Sequence, residues 1–185
     1  MRLYQWVVVL WAASEVLIGI TRAAPLGVRG QDRLSGQALI GGLVLSLWAG
    51  YFIGRAVPGT AITDGKDLVF DLGIVLALAG IALRWYAVLV LGRFFTTRIM
   101  TTPDQTVVQK GPYRLVRHPS YSGLLLTALG LLLCSTNWLS LACFVIAVPG
   151  FAYRIRVEEG ALTAALGDAY RVYMRHTKRL VPFVV

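Results

Sequence analysis

LVFDLGIVLALAGIALRWYAVLVL, Leu68 to Leu91, is the stretch whose reading decides the fold. It outruns the roughly 20 apolar residues that a helix needs to cross a bilayer's hydrocarbon core. Four other apolar runs flank it: Leu3 to Ile20 and Leu39 to Val57 before it, Tyr121 to Leu133 and Trp138 to Tyr153 after it. The last two are short, and Ser135, Thr136 and Asn137 divide them, which reads as a helical hairpin. The composition agrees: 57% of the 185 residues are hydrophobic, only 15% are charged, and the mean hydropathy is +0.67. Soluble domains are nearer a quarter charged. The expected fold is an all-α membrane protein of about five transmembrane helices. The whole chain, 1–185, forms a single membrane domain, with three N-terminal spans in 1–91 and a loop, helical hairpin and tail in 92–185.

The formal net charge is +9. No basic-aromatic patch accompanies it, so no nucleic-acid partner is expected. The charge instead sets topology. With the N-terminus outside, the inner segments hold Arg22, Arg29 and Arg33, then Arg93, Arg98, Lys110, Arg114 and Arg117, then the basic tail from Arg154 to Arg179. Only Arg2, Arg55 and Lys66 fall outside, in accord with the positive-inside rule. The same rule argues against reading the first run as a cleaved signal peptide. Cys134 and Cys143 lie in apolar runs, outside any CxxC or Cys/His cluster, and read as small buried hydrophobes with no metal expected.

Two polar clusters interrupt this apolar frame on the inner side. The first is Gly111-Pro112-Tyr113-Arg114-Leu115-Val116-Arg117-His118-Pro119-Ser120-Tyr121-Ser122-Gly123. Pro119 suits a first helical turn and restrains His118 to extended backbone. His118 is thus expected just before a helix N-terminus, beside backbone N–H groups that favour anions. Tyr113 and Tyr121 are placed to wall a flat group, and Gly123 to let a ligand approach the backbone. The alternative is an interfacial belt of Tyr, His and Arg.

The second cluster is Arg154-Ile155-Arg156-Val157-Glu158-Glu159. Arg154 and Glu158, four apart, share a helix face. Adjacent carboxylates near a helix C-terminus are electrostatically unfavourable and call for cationic relief. Beyond them, Glu159 to Tyr173 is expected to form an amphipathic surface helix. Arg84 and Glu15, each within a span, must face protein or a polar cavity, because charge at mid-bilayer is expensive. His176 reads as a surface residue. There is no P-loop, HExxH or GxSxG.

The two clusters in this order resemble the isoprenylcysteine carboxyl methyltransferase family of membrane enzymes. The matching residues are Gly111-Pro112-Tyr113, Arg117-His118-Pro119-Ser120-Tyr121-Ser122-Gly123, Arg154 with Glu158-Glu159, Leu166-Gly167-Asp168-Ala169-Tyr170, and Lys178 through Phe183. Phospholipid methyltransferases and some membrane sterol reductases are similar in this half. The resemblance implies an S-adenosylmethionine cofactor, leaving as S-adenosylhomocysteine, in a site formed by the loop, hairpin and amphipathic tail. It implies cofactor contacts from Gln105, Val108, Tyr113, His118, Tyr121 and Glu158. It further implies that Arg154 is catalytic, facing the substrate carboxylate. The lipophilic substrate would enter from the surrounding membrane lipid. An ionised acid needs no general base, whereas an amine would need one, for which Glu158 or Glu159 is available. The expected activity is carboxyl O-methylation of an isoprenylcysteine-like or other lipid-linked acid. The alternatives are phospholipid or amine N-methylation and, in another class, a non-catalytic binding or transport protein. The expected location is a bacterial plasma membrane, with the site on the cytoplasmic side.

The charge asymmetry makes a topological prediction. In a background without Cys134 and Cys143, single cysteines at Gly65 and Gln105 label from opposite sides of the membrane. Labelling of both from one side contradicts the topology.

Overall fold

The computed structural model describes residues 2–23, 33–97 and 106–182. Gln105, the flanking arginines Arg29 and Arg98, and Phe183 lie outside the described residues. The described helices are α1 (Arg2–Thr21), α2 (Arg33–Ala56), α3 (Lys66–Leu91), α4 (Pro119–Leu133), α5 (Trp138–Ala142), α6 (Val148–Leu166) and α7 (Asp168–His176). A 3₁₀ turn, Cys143–Ile146, joins α5 to α6. The protein is an all-helical membrane protein.

Among the described residues, four helical stretches are long and apolar enough to cross a membrane: Leu3–Thr21, Leu34–Ala56, Lys66–Phe94 and Trp138–Leu166. The fifth apolar run, α4, is shorter at 15 residues, about 22 Å at 1.5 Å per residue. Its contacts with protein make that length tolerable. It lies along α3, and the turn after it is tied down by hydrogen bonds. Thr136 adopts a positive φ of 45°, and its carbonyl accepts from Ile62 N–H at 2.7 Å. The Asn137 side chain caps α5 by accepting from the N–H groups of Leu139 and Ser140. Its amide also donates to the Val57 carbonyl at 3.0 Å. Backbone polar groups left open in hydrocarbon would be costly, and these bonds close them.

Small residues set the α3–α4 contact. A Cβ on Gly80 would fall 2.5 Å from Thr127 N and 2.6 Å from the Gly123 carbonyl oxygen. One on Gly123 would fall 2.7 Å from the Gly80 carbonyl oxygen. Gly73 and Gly130 meet in the same way one level further along. Apolar burial gives helices in lipid little drive to associate, so close backbone approach of this kind supplies the dispersion contacts. Gly123 therefore lies against α3; its missing side chain makes room for the neighbouring helix, where the sequence suggested a ligand. Between α2 and α6, Gly150 sits against the Ala38 carbonyl, where a Cβ would be 2.4 Å from the oxygen. Ser46 and Ser140 add hydrogen bonds to the Cys143 and Gly50 carbonyls, at 2.9 and 2.8 Å. Both cysteines are free and buried.

The amphipathic tail helix is shorter than its sequence suggests. Residues 159–166 continue α6, and the chain breaks at Gly167, whose φ of 57° favours glycine. The amphipathic helix is α7 alone, with Tyr170 and Tyr173 buried.

Substituting at the crossing tests this packing. Gly80→Ala or Gly123→Ala lowers stability by about 1–3 kcal/mol through overpacking against backbone. Gly160→Ala, where nothing lies within 4 Å of the added Cβ, does not. Thermal melts of the three purified variants in one detergent decide it.

Candidate active site

A cavity of about 550 Å³ opens inside the bundle. α1 packs on α3 and α2 packs on α6, while α1 and α2 scarcely touch. The apolar lining that these two helices contribute includes Trp11, Ile18, Leu39, Ile40, Leu43 and Val44. Ile40 and Val44 are also exposed on the outer surface of the bundle. The other end is polar. Val108, Tyr113, His118, Tyr121, Arg154 and Glu158 all line it, so the six expected site residues within the described segments come together on one cavity. Gln105 lies outside the described residues.

The local fold explains each placement. Gly111–Arg114 makes a 3₁₀ turn that buries Tyr113. Burial, reinforced by the nearby Glu158 carboxylate, raises this phenol's pKa. His118 stands as the N-cap of α4 with Pro119 at the first position. The N–H groups of Tyr121 and Ser122 both donate to the His118 carbonyl at 3.0 Å, so the first turn offers fewer donors to an anion than its position suggests. The His118 side chain is buried between two carboxylates, Nδ1 3.8 Å from Glu158 Oε1 and Nε2 3.4 Å from Glu159 Oε1. Its ring stacks on Tyr121, with centroids 5.6 Å apart and planes 18° apart.

Arg154 and Glu158 are one turn apart on α6 and are joined through one hydroxyl. Tyr121 Oη donates to Glu158 Oε2 at 2.5 Å and accepts from Arg154 Nε at 3.1 Å. The rest of the Arg154 guanidinium donates to Ser35 Oγ at 3.0 Å and to the Thr97 carbonyl at 3.3 Å. Arg154 is only 4% exposed. It fastens the start of α2 and the segment after α3 to the same wall that carries Glu158.

Glu159, offered by the sequence as an alternative base, has a different setting. It accepts from Arg117 Nε at 2.8 Å and from Arg179 Nε at 3.1 Å, and is not among the cavity-lining residues. Arg117 also donates to the Met174 carbonyl at 3.1 Å and to the Thr177 carbonyl. The backbone N–H groups of Arg117 and His118 donate to the Lys178 and Arg179 carbonyls, at 2.7 and 3.0 Å. Tyr173 Oη closes the back of the site on the Tyr113 carbonyl at 2.7 Å, its pKa pushed up to about 12 mainly by burial. This clasp was not visible in the sequence. The basic residues of the loop and tail are legible as a topology signal and as part of the family resemblance, but their pairing depends on tertiary contact.

Arg84 and Glu15 also find each other. Arg84 donates from Nε and Nη2 to the two Glu15 carboxylate oxygens, at 2.5 and 2.6 Å, and from Nη1 to Ser120 Oγ at 2.7 Å. All three line the cavity. A bidentate pair of this kind satisfies both charges inside a span.

A methyl-donor cofactor of the sulfonium class fits the donor set. The wall offers a carboxylate at Glu158 for a cationic or hydroxyl-bearing group, and aromatic faces at Tyr113, Tyr170 and Tyr173 for a flat ring.

Removing Glu159 separates clasp from pocket. Glu159→Ala leaves the buried Arg117 without its counter-charge, so it lowers the stability of the ligand-free protein by about 3–5 kcal/mol. Glu158→Gln leaves it near native. Melting curves of the two purified, ligand-free variants read the difference.

Residues 73–164 match the family "Isoprenylcysteine carboxyl methyltransferase (ICMT)". Protein-S-isoprenylcysteine O-methyltransferase B of Arabidopsis thaliana is 34% identical over 119 residues, 63% of this chain and 60% of that one. A probable protein-S-isoprenylcysteine O-methyltransferase of Oryza sativa subsp. indica is 34% identical over 116 residues, 61% of each chain. The match thus spans about three fifths of these relatives' length. Among solved structures, the eukaryotic intramembrane Ras methyltransferase ICMT superposes with a TM-score of 0.65 at 23% identity, covering 98% of this chain and 65% of that one. That likeness is one of fold.

Proposed function

We propose, from the match of residues 73–164 to the isoprenylcysteine carboxyl methyltransferase family, that the chain is an S-adenosylmethionine-dependent methyltransferase. Its acceptor is the carboxylate of a lipophilic, membrane-embedded molecule of the isoprenylcysteine kind. One observation carries this reading. In a cavity with an apolar side toward the bilayer, Arg154 and Glu158 face the same space and are held in register by Tyr121.

The cofactor supplies an activated methyl group when bound. Tyr113, His118, Tyr121 and Glu158, with the backbone around Gln105 to Val108, would hold it. Arg154 orients the acceptor. Its planar fork matches a carboxylate, and alignment accounts for much of the barrier reduction available to such a reaction, about 7–11 kcal/mol in well-oriented systems. An ionised carboxylate arrives deprotonated, so no residue has to remove a proton. The sparse contact between α1 and α2 suits lateral access from lipid. The basic residues at this end, Arg22, Arg93, Arg114 and Arg117, favour a cytoplasmic site.

Radiolabelled methyl transfer to a panel of lipids, isoprenoid acids and prenylcysteines tests the activity. Release of the label by mild base marks an ester; a base-stable product assigns N-methylation instead. S-adenosylhomocysteine at 100 times its Kd stabilises the fold by about 2.7 kcal/mol if it binds only the native state. An unchanged Tm under those conditions refutes cofactor binding. Arg154→Lys keeps the charge and loses the fork, and turnover falls roughly 10²-fold, the scale of a misplaced reacting group, with cofactor affinity little changed. Near-native turnover would remove Arg154 from the acceptor site. Lost cofactor affinity in a folded variant would move it to the cofactor site.

A further inference from the structure

A second recess, of about 330 Å³, lies beside the clasp, where α7 ends and the tail begins. Arg117, Arg175, His176, Lys178 and Arg179 line it, and among the described residues no carboxylate does. The backbone explains the shape. α7 stops at His176, and Thr177 is extended, at φ −128° and ψ 153°. The tail then runs beside the loop, with Lys178 N–H donating to the Leu115 carbonyl at 3.4 Å. A helix C-terminus ordinarily repels anions, because its last carbonyls are free. Here Arg117 Nη1 donates to the Met174 and Thr177 carbonyls, which offsets that pole.

The positive charge of the recess is not neutralised within the chain. Arg117 and Arg179 share one carboxylate, Glu159. Arg175 and Lys178 are exposed and have no carboxylate partner among the described residues. Apolar side chains are exposed at the same end: Leu115, Val172 and Val181. None of the three belongs to a helical stretch long enough to cross the membrane. Cations interleaved with exposed aliphatic groups at the end of a membrane bundle suit a segment that rests on a lipid surface, its charges level with the headgroups. A soluble anion would satisfy the cations and leave the apolar groups in water.

We propose that this recess binds the phosphate of an anionic membrane lipid, held by Arg175 and Lys178 against Arg179, with Leu115, Val172 and Val181 in the interfacial layer. The bound phosphate adds a second counter-charge beside Arg117 and Arg179, and so braces the clasp that sets His118 against α6. Of the recess residues, Arg117 alone also lines the large cavity. The inference therefore stands apart from the methyltransferase reading, and its readouts involve no turnover.

The test titrates the full-length protein in detergent with a short-chain phosphatidylglycerol and follows the melting temperature. The native protein is stabilised saturably, as a ligand that binds only the folded state requires. Phosphatidylcholine of the same chain length, and inorganic phosphate at the same concentration, have little effect. Arg175→Gln and Lys178→Gln each weaken the apparent Kd about fivefold, the ~1 kcal/mol that one basic residue contributes near an anionic lipid surface. Arg171→Gln removes an equal charge from the same helix, but Arg171 pairs with Asp168 at 2.9 Å and does not line the recess; it leaves Kd unchanged. Equal stabilisation by inorganic phosphate makes the recess a free-anion site and overturns the lipid assignment. Equal stabilisation by phosphatidylcholine assigns the effect to acyl chains and overturns it too. A loss in Arg171→Gln as large as that in Lys178→Gln shows a diffuse field in place of a site. Absence of any stabilisation of the native protein also ends the proposal. Should the variants fail to fold, the native protein decides alone, with phosphatidylglycerol carrying a photo-crosslinker in its headgroup. Adducts within residues 174–179 sustain the site, and adducts confined elsewhere overturn it.

Discussion

The carboxylate of Glu159 holds together the part of the molecule on which the site depends. It is almost enclosed and is met by Arg117 from the loop and Arg179 from the tail, with His118 also beside it. Arg117 and His118 belong to the loop, Arg179 to the tail and Glu159 to α6, so one carboxylate joins three segments. The loop contributes a 3₁₀ turn and extended backbone, and the tail after α7 has no regular structure of its own. Their mutual backbone bonds, at Arg117, His118 and Lys178, need the two strands held side by side. A charge buried among arginines is retained only where hydrogen bonds fill its lone pairs, and here both carboxylate oxygens are filled. The position of His118, and through it the stack on Tyr121, follows from that arrangement.

A second constraint comes from the bilayer. α1 brings a glutamate into the membrane and α3 an arginine, and each alone would be expensive there. Their bidentate pairing fixes α1 against α3 at one level, and the added bond to Ser120 fixes the start of α4 at the same level. The α3–α4 glycines set the separation of these two helices while the ion pair sets their register. Together they hold the wall of the cavity still, although α1 makes few other contacts with the bundle. The pair also leaves a polar band across an otherwise apolar space, dividing the region near Trp11 from the region near Arg154.

Much of this was legible in the sequence, for physical reasons that also mark the limit. Hydropathy over a window of bilayer length finds spans because lipid punishes any other arrangement, and Leu68 to Leu91 is unambiguous. The place of His118 just before a helix was readable because proline suits a first helical turn, although its backbone, at φ −123° and ψ 56°, is not the extended one that the sequence suggested. The sharing of one face by Arg154 and Glu158 follows from helical geometry alone. What remained hidden depended on partners far apart in the chain. Gly123 offers room in either reading, and only the position of Gly80 shows that a helix takes it. Glu158 and Glu159 are indistinguishable as neighbours until Arg117 and Arg179 claim one of them. Glu15 and Arg84 were each visible as anomalies; no local rule pairs residues on different spans. The amphipathic pattern from Glu159 to Tyr173 runs through Gly167 without a phase break, so periodicity missed the bend that the glycine permits.

The electrostatics around Arg154 favour an anionic over a cationic acceptor. Its guanidinium lies at the start of α2, against Ser35 Oγ and 3.6 Å from where a Cβ on Gly36 would stand. The first turn of a helix carries the positive end of the macrodipole. A buried cation beside that pole is doubly unfavourable, and its hydrogen-bond partners there, Tyr121 Oη, Ser35 Oγ and the Thr97 carbonyl, are neutral. The nearest carboxylate, Glu158, is reached through the Tyr121 hydroxyl. An incoming carboxylate would neutralise the guanidinium and sit at the favourable pole of α2, while a protonated amine would meet two positive partners. Glu158 lies one turn further along α6 and, in the proposed reaction, would provide negative charge for a cationic methyl donor. The opposite charges of the two proposed reactants would thus be matched by opposite charges one helical turn apart on α6. Tyr121, bonded to both side chains, keeps that separation fixed and prevents Arg154 and Glu158 from collapsing into a direct salt bridge that would cancel it.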